Sequence, residues 1–141
     1  NASVVTISAH GNACSGMVCT GLGAQWSAKT PETALLMVNI ANEYRGITGA
    51  QLNMDGQVLT LKKTVTATSM DASGGMRQST QSFIVPLSLI RDITSSQRTW
   101  LRVQTTAGTY EDAVIDGTKD SKAFHALKRF LTSVEQASAK Q

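Results

Sequence analysis

From Ile47 onward, apolar and polar positions alternate with a period of two, in short runs punctuated by turn residues, and only the last stretch adopts a helical period. The sharpest run is a hairpin about Asp55-Gly56, a two-residue turn signal. Counting outward pairs Met54 with Gln57, Leu52 with Leu59 and Ala50 with Leu61 on one face. Asn53 with Val58 and Gln51 with Thr60 fall on the other. One face is apolar and the other mostly polar, as a half-buried antiparallel pair requires. The second strand is expected to continue through Lys63, Val65 and Ala67 to near Met70. After the Asp71–Gly75 loop, Arg77 to Val85 returns as a strand rich in Ser, Thr and Gln, and Pro86 ends it. Leu87, Leu89, Ile90 and Ile93 form a short apolar segment for which a bulged strand is one reading. Trp100 to Thr105 and Thr109 to Ile115 predict a second hairpin. With Gly108 in the left-handed position of the turn, Arg102 opposes Asp112 and Trp100 opposes Val114. Leu101, Val103, Ala113 and Ile115 then share the core face.

The N-terminal third reads differently. Ser3 to Ala9 and Met17 to Ser27 are expected strands, and Gly21 and Gly23 predict a bend, a bulge or a close backbone approach in the second. A helix is predicted over 31–45. Thr30 is a suitable N-cap, Pro31 suits the first helical position, Leu36, Met37, Ile40, Ala41 and Tyr44 recur at helical spacing, and Gly46 is a stop. A C-terminal helix over 121–135, capped by Asp120 or Ser121, carries Ala123, Phe124, Leu127, Phe130, Leu131 and Val134 on one stripe; residues 136–141 should fray. These elements amount to one α+β domain over residues 1–141, with two helices and an antiparallel sheet that is strongly curved or barrel-like.

Composition narrows the partners. Of 141 residues, 41% are hydrophobic and 16% charged, enough apolar content for a folded core and too little charge for disorder. The polar surface therefore comes largely from Ser, Thr, Gln and Asn. The net charge is +3, and the basic residues are scattered, with Lys62-Lys63 and Lys128-Arg129 the adjacent pairs. No basic stripe results, and no nucleic-acid partner is expected. No apolar run approaches the ~20 residues that span a bilayer, so no transmembrane segment is expected. The start at Asn1 without methionine fits a mature exported form and an expression remnant alike, and Asn1-Ala2 carries no weight in the fold.

Cys14 and Cys19 are the two cysteines. Four intervening residues, including Gly16, allow a bend that brings them within bonding distance, and a disulfide implies a periplasmic, cell-envelope or secreted location, with lipid anchoring upstream of Asn1 compatible. His10 with this pair matches no zinc module, so neither metal nor other cofactor is expected. A nucleophilic cysteine would need His10 or His125 beside it.

The segment Phe83-Ile-Val-Pro-Leu-Ser-Leu-Ile90, followed by a hairpin closing at Gly108 and a terminal helix, resembles bacterial pleckstrin-homology-like domains over about residues 47–134. That resemblance implies a barrel with a binding or scaffolding role, toward lipid headgroups or peptides, without catalysis. Such barrels do not require the helix over 31–45.

Arg98, Trp100 and Arg102 alternate and therefore project from one face, with Tyr110 near by on the partner strand. An indole between two guanidinium groups can hold an anionic or planar ligand. The plainer reading packs Trp100 and Val114 beneath a helix with the arginines snorkelling outward. His125, Lys128 and Arg129 share the polar side of the terminal helix, as an anion-binding stripe or a solvated face. No Gly-x-Ser-x-Gly elbow, Walker loop or His-Glu-x-x-His helix is present, and Glu111, Asp112 and Asp116 lie along one predicted strand. Three function classes follow. The first is an exported, non-enzymatic domain that binds a protein or a small anionic or lipid ligand. The second is a small hydrolase-type enzyme using His10 or His125 with Cys or a carboxylate, and the third is a self-assembling module using its Thr/Gln-rich strands.

Overall fold

A computed structural model describes residues 3–15, 17–64, 68–72 and 77–139. The chain forms β1 (Val4–Ser15), β2 (Val18–Ser27), β3 (Thr33–Ala41), β4 (Ile47–Met54), β5 (Gln57–Thr60), β6 (Lys62–Lys63), β7 (Ser69–Asp71) and β8 (Gln78–Pro86). These are followed by α1 (Leu87–Ser95), β9 (Arg98–Thr105), β10 (Gly108–Asp116), β11 (Lys119–Asp120) and α2 (Lys122–Ala139). One sheet runs β1-β2-β3-β8, with β6 and β7 pairing successive stretches of the far side of β8. The other runs β11-β10-β9-β4-β5. Every pairing is antiparallel. The α+β content is as predicted, but neither sheet closes or curls strongly, so the expected barrel is replaced by two open sheets. The chain passes between them at β3–β4, at β5–β6 and through α1.

The predicted helix over 31–45 is instead β3, an interior strand. Thr30-Pro31 serves a tight turn: Thr30 N–H donates to Ser27 O at 3.1 Å, and Thr33 N–H to Thr30 O at 3.2 Å. The indole N–H of Trp26 donates to Pro31 O at 3.0 Å. A short apolar run satisfies both periods, and pairing decides between them. β2 and β8 take both edges of β3, and Ala34, Leu36, Val38 and Ile40 alternate into the core.

The Asp55-Gly56 hairpin has the predicted register, with Leu52 opposite Leu59 and Met54 opposite Gln57. Leu61 N–H donates to Ala50 O at 2.9 Å, so the next pair also meets. The strand does not run on to Met70. At Leu61 the chain leaves for the other sheet, and Lys62 and Lys63 pair with Ile84 and Phe83. Val65 and Ala67 lie outside the described residues. The apolar segment after Pro86 is α1, with Leu87, Ile90 and Ile93 buried at helical spacing. Helix α2 starts as expected, with Ser121 Oγ accepting from Phe124 N–H at 3.0 Å. It continues to Ala139, so residues 136–139 are helical rather than frayed.

Both sheets and both helices contribute to one cluster of buried apolar side chains, including Leu22, Leu36, Phe83, Leu52, Leu101, Ile90, Leu127 and Phe130. Two polar residues of β8 face this core. Ser79 Oγ accepts from Arg45 N–H at 2.8 Å and donates to Glu43 O at 3.3 Å, and the Gln81 amide binds Thr68 and Thr64. Ser79 thereby satisfies the backbone of the segment that crosses from β3 to β4, and Gln81 holds Thr64 and Thr68 between β6 and β7, where buried polar groups would otherwise be costly.

In β1, bulges between Ile7 and His10 and between Gly11 and Ala13 face Thr20 to Ala24 of β2. A Cβ at Gly23 would lie 2.7 Å from Ile7 O and 2.9 Å from Ala9 N, so glycine is what admits the bulged backbone. Cys14 and Cys19 form a cross-strand pair and a disulfide at the end of this hairpin. No helix is long and apolar enough to cross a membrane among the described residues.

Gly23→Ala is expected to destabilise the protein by about 1–3 kcal/mol, whereas Gly11→Ala, whose Cβ meets nothing within 4 Å, should stay within about 0.5 kcal/mol of the parent in urea unfolding. Because the disulfide closes a small ring, reduction should cost at most about 2 kcal/mol. Hydrogen exchange should rise in residues 10–21 while the amides of β3 and β8 stay protected.

Candidate functional site

The turn of the second hairpin decides which side chains meet. Its loop is Thr106-Ala107, and Thr105 pairs with Gly108. The predicted register is therefore shifted by one: Glu111, not Asp112, opposes Arg102, and Ala113, not Val114, opposes Trp100. Asp112 lies opposite Leu101 and points into the core, where it is buried, while Ala113 turns outward. Tyr110 pairs with Val103 and packs against the core, so it is on the opposite side of the sheet from Trp100.

A bulge in β10 between Ala113 and Ile115 then changes the parity. Val114 and Ile115 are both buried, and Asp116 is returned to the outer face opposite Arg98. Without that extra residue Asp116 would point inward. Its carboxylate Oδ2 accepts the indole N–H of Trp100 at 3.0 Å and lies 3.3 Å from Arg98 Nε. The Arg98 guanidinium sits 5.8 Å from the centroid of the indole. Arg102 Nε lies 3.3 Å from Glu111 Oε1.

The strands on the other side complete the face. Asn53 lies beside Trp100 and Gln51 beside Arg102, with Val58 and Thr60 of β5 beyond them. A trough of about 400 Å³ runs over this outer face, lined by Gln51, Asn53, Val58, Trp100, Arg102 and Glu111 among others. Trp100 is partly exposed and no helix residue lines the trough, so the packing of Trp100 beneath a helix is not what forms. The structure brings together Arg98, Trp100 and Arg102 from the sequence reading and leaves Tyr110 out. The sequence reading missed the role of Asp116. Its signal was Val114-Ile115, two consecutive apolar β-branched residues that interrupt the alternation.

The other candidates lie apart. His125 Nε2 is 2.8 Å from Asp120 Oδ2 on an exposed surface. His10 Nδ1 lies 2.7 Å from Ser8 O, and its Nε2 lies 3.5 Å from Arg129. Both cysteines are in the disulfide, so neither histidine has a thiol to activate. Lys128 covers the Phe124 ring at 4.5 Å. Among the described residues no group of three His, Cys, Asp or Glu is arranged to hold a metal ion. Compared with known proteins, the chain matches no family model, no curated protein and no solved structure.

One buried polar contact joins the two sheets. Thr20 Oγ of β2 donates to Asp112 Oδ2 of β10 at 2.5 Å and accepts from Asn12 Nδ2 at 3.3 Å. Burial pushes the Asp112 carboxyl above its ordinary range, and the Thr20 hydroxyl opposes that shift in part. The folded chain thus holds a proton at a pH where the unfolded chain has released it. This group's contribution to stability is full below the ordinary carboxylate range and is lost as pH rises through the raised value. Asp112→Asn keeps an oxygen for the Thr20 hydroxyl and carries no charge at any pH. Its melting temperature is expected to gain on the parent's as pH rises from about 4 to about 8, with the gap closing at the acid end. Parallel thermal melts of the two proteins across that range check this.

Proposed function

We propose that this chain is an exported, non-enzymatic binding domain whose ligand face is the outer surface of the β11-β10-β9-β4-β5 sheet. The observation that carries the reading is Trp100: an indole on the solvent side of a sheet, fixed by Asp116 and flanked by Arg98 and Arg102. A large aromatic residue gains most when buried, and here part of that gain is forgone. Its N–H is already bonded, so the ring is held in one orientation before any ligand arrives. Binding sites join an apolar platform to a few oriented polar groups, and this trough has both. The disulfide between Cys14 and Cys19 supports an oxidising location such as the periplasm, the cell envelope or the extracellular space.

The reading is tested by amide-shift mapping of the ¹⁵N-labelled protein against a panel of neutral oligosaccharides, anionic oligosaccharides, acidic peptides and anionic lipid vesicles. The expected result is that perturbations centre on Asn53, Trp100 and Arg102, and that Trp100→Ala weakens binding about tenfold or more, as loss of a central aromatic anchor does. Perturbations centred on α2 or on the disulfide hairpin would place the binding surface elsewhere and sink the reading.

A further inference from the structure

We infer that the ligand of this face is an uncharged glycan, an inference that rests on the binding-face reading above and specifies its chemistry. Arg98 and Arg102 would by themselves draw an anion. On this face each is already paired, Arg98 with Asp116 and Arg102 with Glu111, so the four charges sum to zero. An incoming carboxylate, sulfate or phosphate would have to take a guanidinium from its partner and then sit beside the displaced carboxylate.

A sugar hydroxyl meets no such conflict, because it both donates and accepts. It can accept from a guanidinium N–H and donate to the carboxylate of the same pair without separating them. Gln51 and Asn53 add amide side chains on the neighbouring strand, one beside each of Arg102 and Trp100. The indole supplies the remaining element. The negative face of an aromatic ring attracts the polarised C–H bonds of a pyranose face, a weak contact that becomes useful over a whole ring. A volume of about 400 Å³ lies at the small end of ligand sites and suits a short segment of a chain rather than a large polymer surface.

The protein carries its own reporter and control. The indole N–H of Trp100 is on the trough and bonded to Asp116, whereas that of Trp26 is bonded to Pro31 O and its side chain is buried. The two indole resonances are followed while the intact protein is titrated with cellopentaose, chitopentaose, maltopentaose and mannopentaose. A heparin-derived oligosaccharide and a poly-glutamate peptide serve as anionic probes. At least one neutral oligosaccharide is expected to shift the Trp100 resonance and leave Trp26 in place. That affinity should change less than about twofold between about 0.05 and 0.5 M NaCl, because no net charge is neutralised. Trp100→Ala should weaken it tenfold or more. Arg102→Ala, which removes a surface side chain without touching the core, should weaken it severalfold.

If only the anionic probes move Trp100, with affinity that collapses in salt, the glycan inference is overturned while the binding face stands. If neutral sugars bind but move residues away from Trp100, the binding face falls and the inference with it. Silence at Trp100 from all four neutral oligosaccharides likewise overturns the inference.

Discussion

Successive side chains of a strand point to opposite faces, so one slip of register exchanges everything a sheet buries for everything it shows. In this protein that constraint acts at β9 and β10. The two-residue loop Thr106-Ala107 sets Glu111 against Arg102, and the bulge after Ala113 then reverses parity for Asp116. Trp100, Arg98 and Arg102 face water with two carboxylates beside them, while Leu101, Val103 and Val114 enter the core. With β9 held by β4, moving the turn by one residue would turn Asp112 and Val114 outward and Glu111 and Ala113 inward. The trough and the core thus depend on the same choice.

The core itself is shared between two open sheets, and among the described residues the chain passes from one to the other three times. Crossing segments carry backbone groups that no ladder satisfies. At the β3–β4 crossing the inward Ser79 of β8 supplies the partners by holding the Glu43–Arg45 stretch, while Gln81 holds Thr64 and Thr68 between β6 and β7. Thr68 Oγ in turn accepts from Ile47 N–H at 3.0 Å as β4 begins. The Ser, Thr and Gln content of this strand has its explanation inside the molecule, since β8 lies between β3 and the β6 and β7 segments and is not an edge. Thr20 and Asp112 tie β2 to β10 in the same manner, by a hydrogen bond between sheets that apolar packing alone would not orient.

Parts of this were legible from the residues and parts were not. The first hairpin was, because Asp55-Gly56 fixes a two-residue loop and the two faces then sort themselves; Asp55 and Gly56 both take positive φ, at 49° and 92°. Helix α2 was also legible, since its stripe is long and Ser121 precedes it. The second hairpin was misread by one residue because Gly108 looked like part of the loop and is instead the first residue of β10, at φ 137°. The segment over 31–45 was misread for a deeper reason. Thr30-Pro31 is good chemistry for starting a helix and equally good for a turn, and a nine-residue apolar strand paired on both edges has no polar face to display its period. The same ambiguity ran the other way at α1, too short for its helical period to stand out. Of the site, the alternation of Arg98, Trp100 and Arg102 was visible, but their partners were not, because Asp116 reaches them only through a bulge.

Exposed ion pairs contribute little to stability, about 0–1 kcal/mol each, and a partly exposed tryptophan forgoes some of the gain of burial. A chain with only 16% charged residues nevertheless places two such pairs and an indole side by side on one sheet face. The needs of the fold do not account for that arrangement, since Leu101 and Val103 on the other face already anchor β9. What the pairs do provide is order. Each arginine is restrained by a carboxylate, the indole is restrained by Asp116, and Asn53 is bonded to Gly56 N–H at 3.1 Å. Side chains fixed in advance lose less freedom when something settles on them, and that saving is worth on the order of 1 kcal/mol for each long side chain already held. On the proposed reading, the charges on this face hold a ligand surface in order more than they reinforce the sheet that carries them.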